Sequence, residues 1–101
     1  MKLEDLKDKT KIEEIDVKVI WDQAEPKEMF GKLIKSVLIA NADSQPKDGS
    51  PTAYLDLVGQ EQIDSVNHLD KIKVTDGYAK LIQNNSGQFR ITNIKKIEKI
   101  E

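Results

Sequence analysis

The alternation of apolar and polar residues is clearest between Thr52 and Asn93. In Thr52-Ala53-Tyr54-Leu55-Asp56-Leu57-Val58-Gly59, Leu55 and Leu57 face one way while Tyr54, Asp56 and Val58 face the other, the period of a half-buried strand. Leu55 and Leu57 are expected in the core. Past Gly59, Ile63, Val66 and Leu69 recur at helical spacing among polar residues, which predicts a short amphipathic helix able to plug one end of a sheet structure. Lys71-Ile72-Lys73-Val74-Thr75 then places Ile72 and Val74 inward. A kink is expected at Gly77, because a glycine inside a strand marks a sharp bend or a close backbone approach. Beyond it Tyr78, Lys80 and Ile82 share the outer face, and Ala79 and Leu81 take the core side. A polar Asn84-Asn85-Ser86-Gly87 turn and a returning strand from Phe89 complete a long hairpin.

The earlier part of the chain is read in the same way. Leu3 and Leu6 predict one helical turn or an extended lead-in that pins two leucines against the domain. Ile12 to Trp21 is a strand rich in β-branched residues, with Ile15, Val17 and Val19 inward. Trp21 has the inward parity, but it stands at the strand's end, where bulges change parity; a core position is preferred over an exposed rim. Asp22 to Glu28 is a polar connection containing Pro26, and Met29 and Phe30 begin a return. Leu33 to Asn41 is a near-continuous apolar strand, with Val37 and Ile39 preferred inside. Ala42 to Pro51 is a loop. Ile97 and Ile100 are the only apolar positions of the tail, which finishes a strand or turns into a short helix. Five strands with one short helix between the third and fourth is the order of the OB-fold, an all-β Greek-key barrel. An SH3-like barrel lacks that helix, so Ile63, Val66 and Leu69 decide for the OB-fold.

The 101 residues fit a single domain spanning 1–101. No apolar run approaches the length needed to cross a bilayer, and Met1 to Leu6 lacks the apolar core of a signal peptide, so a cytoplasmic protein without a membrane partner is expected. With no cysteine there are no disulfides and no thiolate metal sites. A net charge of −2 argues by itself against nucleic acid, but the distribution is uneven. From Lys71 to Glu101 seven basic residues stand against three acidic, whereas between Ala40 and Asp70 only Lys47 is basic among six acidic residues.

These patterns carry a resemblance. Leu3-Glu4-Asp5-Leu6-Lys7, Ile15-Asp16-Val17-Lys18-Val19, Leu55-Asp56-Leu57-Val58-Gly59, Ile72-Lys73-Val74-Thr75-Asp76-Gly77-Tyr78-Ala79 and Lys96-Ile97-Glu98-Lys99-Ile100-Glu101 together resemble the archaeal-type single-stranded DNA-binding OB domains, including those of archaeal replication protein A. The resemblance implies binding aromatics at Val58, Tyr78 and Ile82, of which only Tyr78 is aromatic here. The family's Asp-x-Thr-Gly turn is altered to Asp48-Gly49-Ser50-Pro51. Tyr54, on Val58's face, is read as a replacement ring.

The expected function is sequence-tolerant binding of single-stranded DNA, with RNA left open, in replication or repair. Tyr78 and Tyr54 stack bases, Ile82 supports a base edge, and Lys80, Lys73, Arg90, Lys32 and Lys35 contact phosphates. The alternative is a protein-interaction module or a subunit of a larger replication protein A-like complex, favoured by outward apolar residues at Val58, Ile82, Ile34 and Leu38. No enzymatic centre and no cofactor are expected. His68 is the sole histidine, the acidic pairs Glu13-Glu14 and Asp5/Asp8 show no metal-ligand spacing with it, and no phosphate loop is present.

Overall fold

Thr10–Trp21 forms β1, a strand long enough to pair with two neighbours at once. Its C-terminal part pairs antiparallel with β3 (Lys32–Asn41), and its length from Thr10 to Lys18 pairs antiparallel with β5 (Lys71–Leu81). β3 continues to β4 (Thr52–Val58), and β4 runs parallel to β6 (Phe89–Thr92), which returns antiparallel to β5. The order β1-β3-β4-β6-β5 therefore closes on β1, leaving the five-stranded barrel without an open edge. A short helix, α1 (Gln60–Ser65), stands between the third and fourth barrel strands, as the OB-fold requires. Two short strands are added outside the circuit: β2 (Lys27–Met29) on β3, and β7 (Lys96–Lys99) on β5. The computed structural model describes residues 2–43, 51–82 and 88–100, so the middle of the Ala42–Pro51 loop and the Asn84–Gly87 turn lie outside the described residues.

The interior is filled by the residues whose alternation marked them. Val17, Val19, Val37, Ile39, Leu55, Leu57, Ile72, Val74, Ala79 and Ile91 are all buried. Each removes an apolar side chain from water, worth about 1.5–3 kcal/mol for a residue of valine or leucine size. Leu3 and Leu6 join them from the N-terminal 3₁₀ turn, Leu3–Asp5. That turn is latched by Asn41, a buried polar residue at the end of β3. Leu3 N–H donates to Asn41 Oδ1 (2.8 Å), and Asn41 Nδ2 donates to Glu4 Oε1 (2.7 Å). The tail resolves as a strand, with Ile97 packed against the core and Ile100 exposed.

Four local expectations are corrected. Trp21 is 41% exposed, not core: the register slips between Val19↔Ile39 and Trp21↔Leu38, so two residues of β1 face one of β3 and the parity inverts. Leu69 is 58% exposed, because α1 stops at Ser65 and residues 67–70 form a turn in which Asn67 N–H donates to Asp70 Oδ2 (2.8 Å). Leu69 N–H is meanwhile held by the Val19 carbonyl (2.7 Å). The polar stretch after Trp21 contains a strand, β2, and the chain reverses at Phe30 and Gly31, both at positive φ (52° and 75°), the signature of a tight hairpin turn.

β5, finally, runs unbroken through Gly77, and its change of face lies at Asp76, whose φ is +57°. Before it Ile72 and Val74 are inward; after it Gly77 and Ala79 are. β1 switches in step, from Ile12 to Ile15, so the pairing keeps one register. Gly77 is required by crowding: a Cβ there would lie 2.9 Å from Ile91 Cγ2 and 3.1 Å from Ile94 Cγ2.

Two substitutions test this packing. Gly77→Ala should destabilise the barrel by about 1–3 kcal/mol through overpacking. Asn41→Ala, which strips Leu3 N–H of its acceptor, should cost a similar amount, about 1–3 kcal/mol. Urea midpoints read both, and an unchanged midpoint for either contradicts the contact assigned to it.

Candidate nucleic-acid interface

Alternation decides which side chains leave the barrel, and register decides which of them meet. On the outer face β3 presents Ile34, Ser36 and Leu38, β4 presents Tyr54, Asp56 and Val58, β6 presents Arg90 and Thr92, and the second half of β5 presents Tyr78 and Lys80, with Ile82 just past its end. Reading the pairs across the strands gives one continuous row, Trp21, Leu38, Tyr54, Arg90, Lys80, one residue from each barrel strand. A shorter row, Lys27, Ile34, Val58, crosses β2, β3 and β4.

Arg90 is the centre of this face. Its Nη1 donates to Asp56 Oδ1 and to Ser36 Oγ (3.1 Å), and the Ser36 hydroxyl donates to the same Asp56 oxygen (2.8 Å). Asp56 is on the outward parity yet buried, since the guanidinium and the serine cover it. Its charge is therefore neutralised in place, and the repulsion a phosphate would meet from an open carboxylate is removed. The Arg90 guanidinium carbon also lies 5.5 Å from the centroid of the Tyr54 ring, within cation–π range. Both of its hydrogen bonds to Asp56 and Ser36 use Nη1, and the Arg90 side chain as a whole is still 40% exposed.

Two shallow clefts flank Arg90. One, of about 400 Å³, is lined by Lys80, Leu81, Ile82 and Arg90. The other, of about 300 Å³, lies under β2 and its preceding loop, with Lys27, Met29, Ile34 and Glu25 among its walls. Both clefts touch Arg90, one beside the end of β5 and the other beside β2, on the side of the barrel where OB-folds take oligonucleotides.

The expected residues divide into those on this face and those away from it. Tyr54, Arg90, Lys80 and Ile82 lie together, with Ile82 held by its N–H to the Gln88 carbonyl (2.9 Å). Tyr78, half-buried opposite Thr92, is on the same face; two strand spacings and one residue pair separate it from Tyr54, about 12 Å. Val58 is half-buried opposite Ile34, and Lys32 is exposed on the β2–β3 hairpin opposite Met29. Lys35 has the parity of Val37 and sits opposite Leu57, so it does not share the face of Tyr54.

Lys73 is elsewhere. It pairs in register with Asp16 and Glu98, and its amine lies 3.3 Å from Glu14 Oε1. The hydrogen bond and charge of Glu14, then the charge of Asp16, raise its pKa above the ordinary lysine value. The amine is charged but answered by carboxylates. His68 Nε2–H donates to the Ile20 carbonyl (3.2 Å) on an exposed turn, and no group of three or more histidine, cysteine or acidic residues among the described residues is placed to hold a metal ion.

Sequence reasoning missed Ser36, Lys27, Met29 and the outward Trp21, and did not foresee the pairing of Asp56 with Arg90. The Asp56–Arg90 pair joins residues 34 positions apart, and only the parallel β4–β6 pairing brings them together. No protein-family model and no curated protein sequence matches this chain.

Asp56→Ala should lower stability by about 1.5–3 kcal/mol, the range for hydrogen bonds to charged groups, and Asp56→Asn by less because it retains an acceptor for Ser36 and Arg90. Thermal unfolding checks the order; equal losses for both variants would show that the carboxylate charge is what matters.

Proposed function

We propose that this barrel binds single-stranded nucleic acid with little sequence preference, DNA foremost, in replication or repair and in the cytoplasm. The observation that carries the reading is the Tyr54–Arg90–Lys80 row. A half-exposed phenol ring, a guanidinium 5.5 Å from it and an exposed ammonium stand side by side beside a cleft lined by Lys80, Leu81, Ile82 and Arg90. An unpaired base offers a flat face to the ring or to the guanidinium plane, and its phosphates meet Lys80 and Lys32. Lysine suits this work, being a flexible point charge that follows an irregular backbone. The neutralised Asp56 removes the chief electrostatic objection. The resemblance of the chain to archaeal-type single-stranded DNA-binding OB domains supports the same reading.

One observation favours a second reading, a protein-interaction module or subunit of a replication protein A-like complex. The β2–β3 hairpin carries Met29 at 48% and Phe30 at 96% exposure, an apolar tip of the kind that protein partners cover. Light scattering at high concentration, expected to show a monomer for a stand-alone DNA binder, separates the two.

Fluorescence anisotropy with a labelled oligo-dT tests the main reading. With two or three phosphates neutralised, the slope for single strands of about −0.7 per contact predicts a loss of affinity of about 7- to 18-fold between about 50 mM and about 200 mM salt. Tyr54→Ala should weaken binding by about 5- to 150-fold, the worth of one stacked base. Absence of binding at tens of micromolar, or binding indifferent to salt, removes the proposal.

A further inference from the structure

We infer that Trp21 is a second base-stacking platform, and that the bound oligonucleotide runs across the barrel strands from Lys80 over Arg90 and Tyr54 to Trp21. The inference rests on the nucleic-acid reading above and adds to it a subsite and a path.

The placement follows from the bulge at the end of β1. Without the slip between Val19 and Trp21 the indole would point into the barrel; with it, Trp21 comes to lie opposite Leu38 on the outer face, which is itself opposite Tyr54. Leaving a tryptophan 41% exposed forgoes part of the largest apolar burial that a side chain can provide. The bulge thus gives up interior packing and places a ring in line with the tyrosine and the two cations.

Spacing sets what the row can hold. Neighbouring strands lie about 4.8 Å apart, so two spacings separate Trp21 from Tyr54 by about 10 Å, and the row from Trp21 to Lys80 spans about 19 Å. A single base cannot touch both rings. Two bases can, with the half-buried Leu38 as the apolar floor between them, while the backbone phosphates fall toward Arg90 and Lys80 at the other end.

Trp21 is the only tryptophan of the chain, so its own emission reports on the subsite. Titrating the unaltered protein with oligo-dT should quench that emission saturably, along the same isotherm as the anisotropy of the labelled oligonucleotide. Trp21→Ala should weaken binding by about 5- to 150-fold, and Trp21→Phe, which keeps a ring, should retain most of the affinity. Binding by anisotropy with unchanged emission, or an affinity unaffected by Trp21→Ala, overturns the inference and leaves the nucleic-acid reading standing. If the unaltered protein binds no oligonucleotide, both fall. Should Trp21→Ala fold poorly, the emission of the unaltered chain still decides.

Discussion

The double pairing of β1 is the constraint on which the structure depends. One strand hydrogen-bonds to β3 along its end and to β5 along most of its length, and that alone turns a five-stranded sheet into a closed barrel. Closure requires the strand to coil, and the coil is visible as the shared switch of face in β1 and β5 near Asp76. The bulge where β1 leaves β3 is the other consequence. It ends the strand's inward alternation and turns Trp21 toward solvent at the level of Leu38 and Tyr54. The geometry that closes the core thus also arranges the outer row.

Electrostatics on that face is settled by one ion pair. The chain as a whole is slightly acidic, and an acidic residue, Asp56, lies in the middle of the outer face proposed to meet phosphates. Arg90 and Ser36 hold its carboxylate and cover it, so the face presents a guanidinium edge and Lys80. A buried carboxylate robbed of its partner would be costly, so the pair is self-enforcing: Asp56 fixes Arg90, and Arg90 covers Asp56. Lys73 illustrates the contrary case. It is equally basic, but Glu14 answers its charge on a different part of the barrel.

Local periodicity made the core legible. Leu55, Leu57, Val37, Ile39, Ile72 and Val74 were readable because alternation needs only near neighbours, and the helix between the third and fourth barrel strands followed from Ile63 and Val66. The same argument put Tyr54, Lys80 and Arg90 outside. What was not legible depends on partners or on unusual backbone. Trp21 inverted because of a register slip that only the β3 pairing defines. Leu69 left the helix because a turn and the Val19 carbonyl claimed its backbone, and β2 was hidden by a turn with Phe30 at positive φ, a conformation its side chain does not advertise. Asp56 and Arg90 are joined only by the parallel closure of β4 on β6, so their mutual neutralisation has no signature along the chain.

Mapping backbone amide shifts, together with the Trp21 indole N–H, on adding a short oligo-dT tests the central claim most directly. The account predicts that the perturbed signals trace the row from Trp21 through Leu38, Tyr54 and Arg90 to Lys80 and Ile82, with Tyr78 beside it. Perturbations confined to the opposite end of β5, around Lys73 and β7, with that row unmoved, would contradict it.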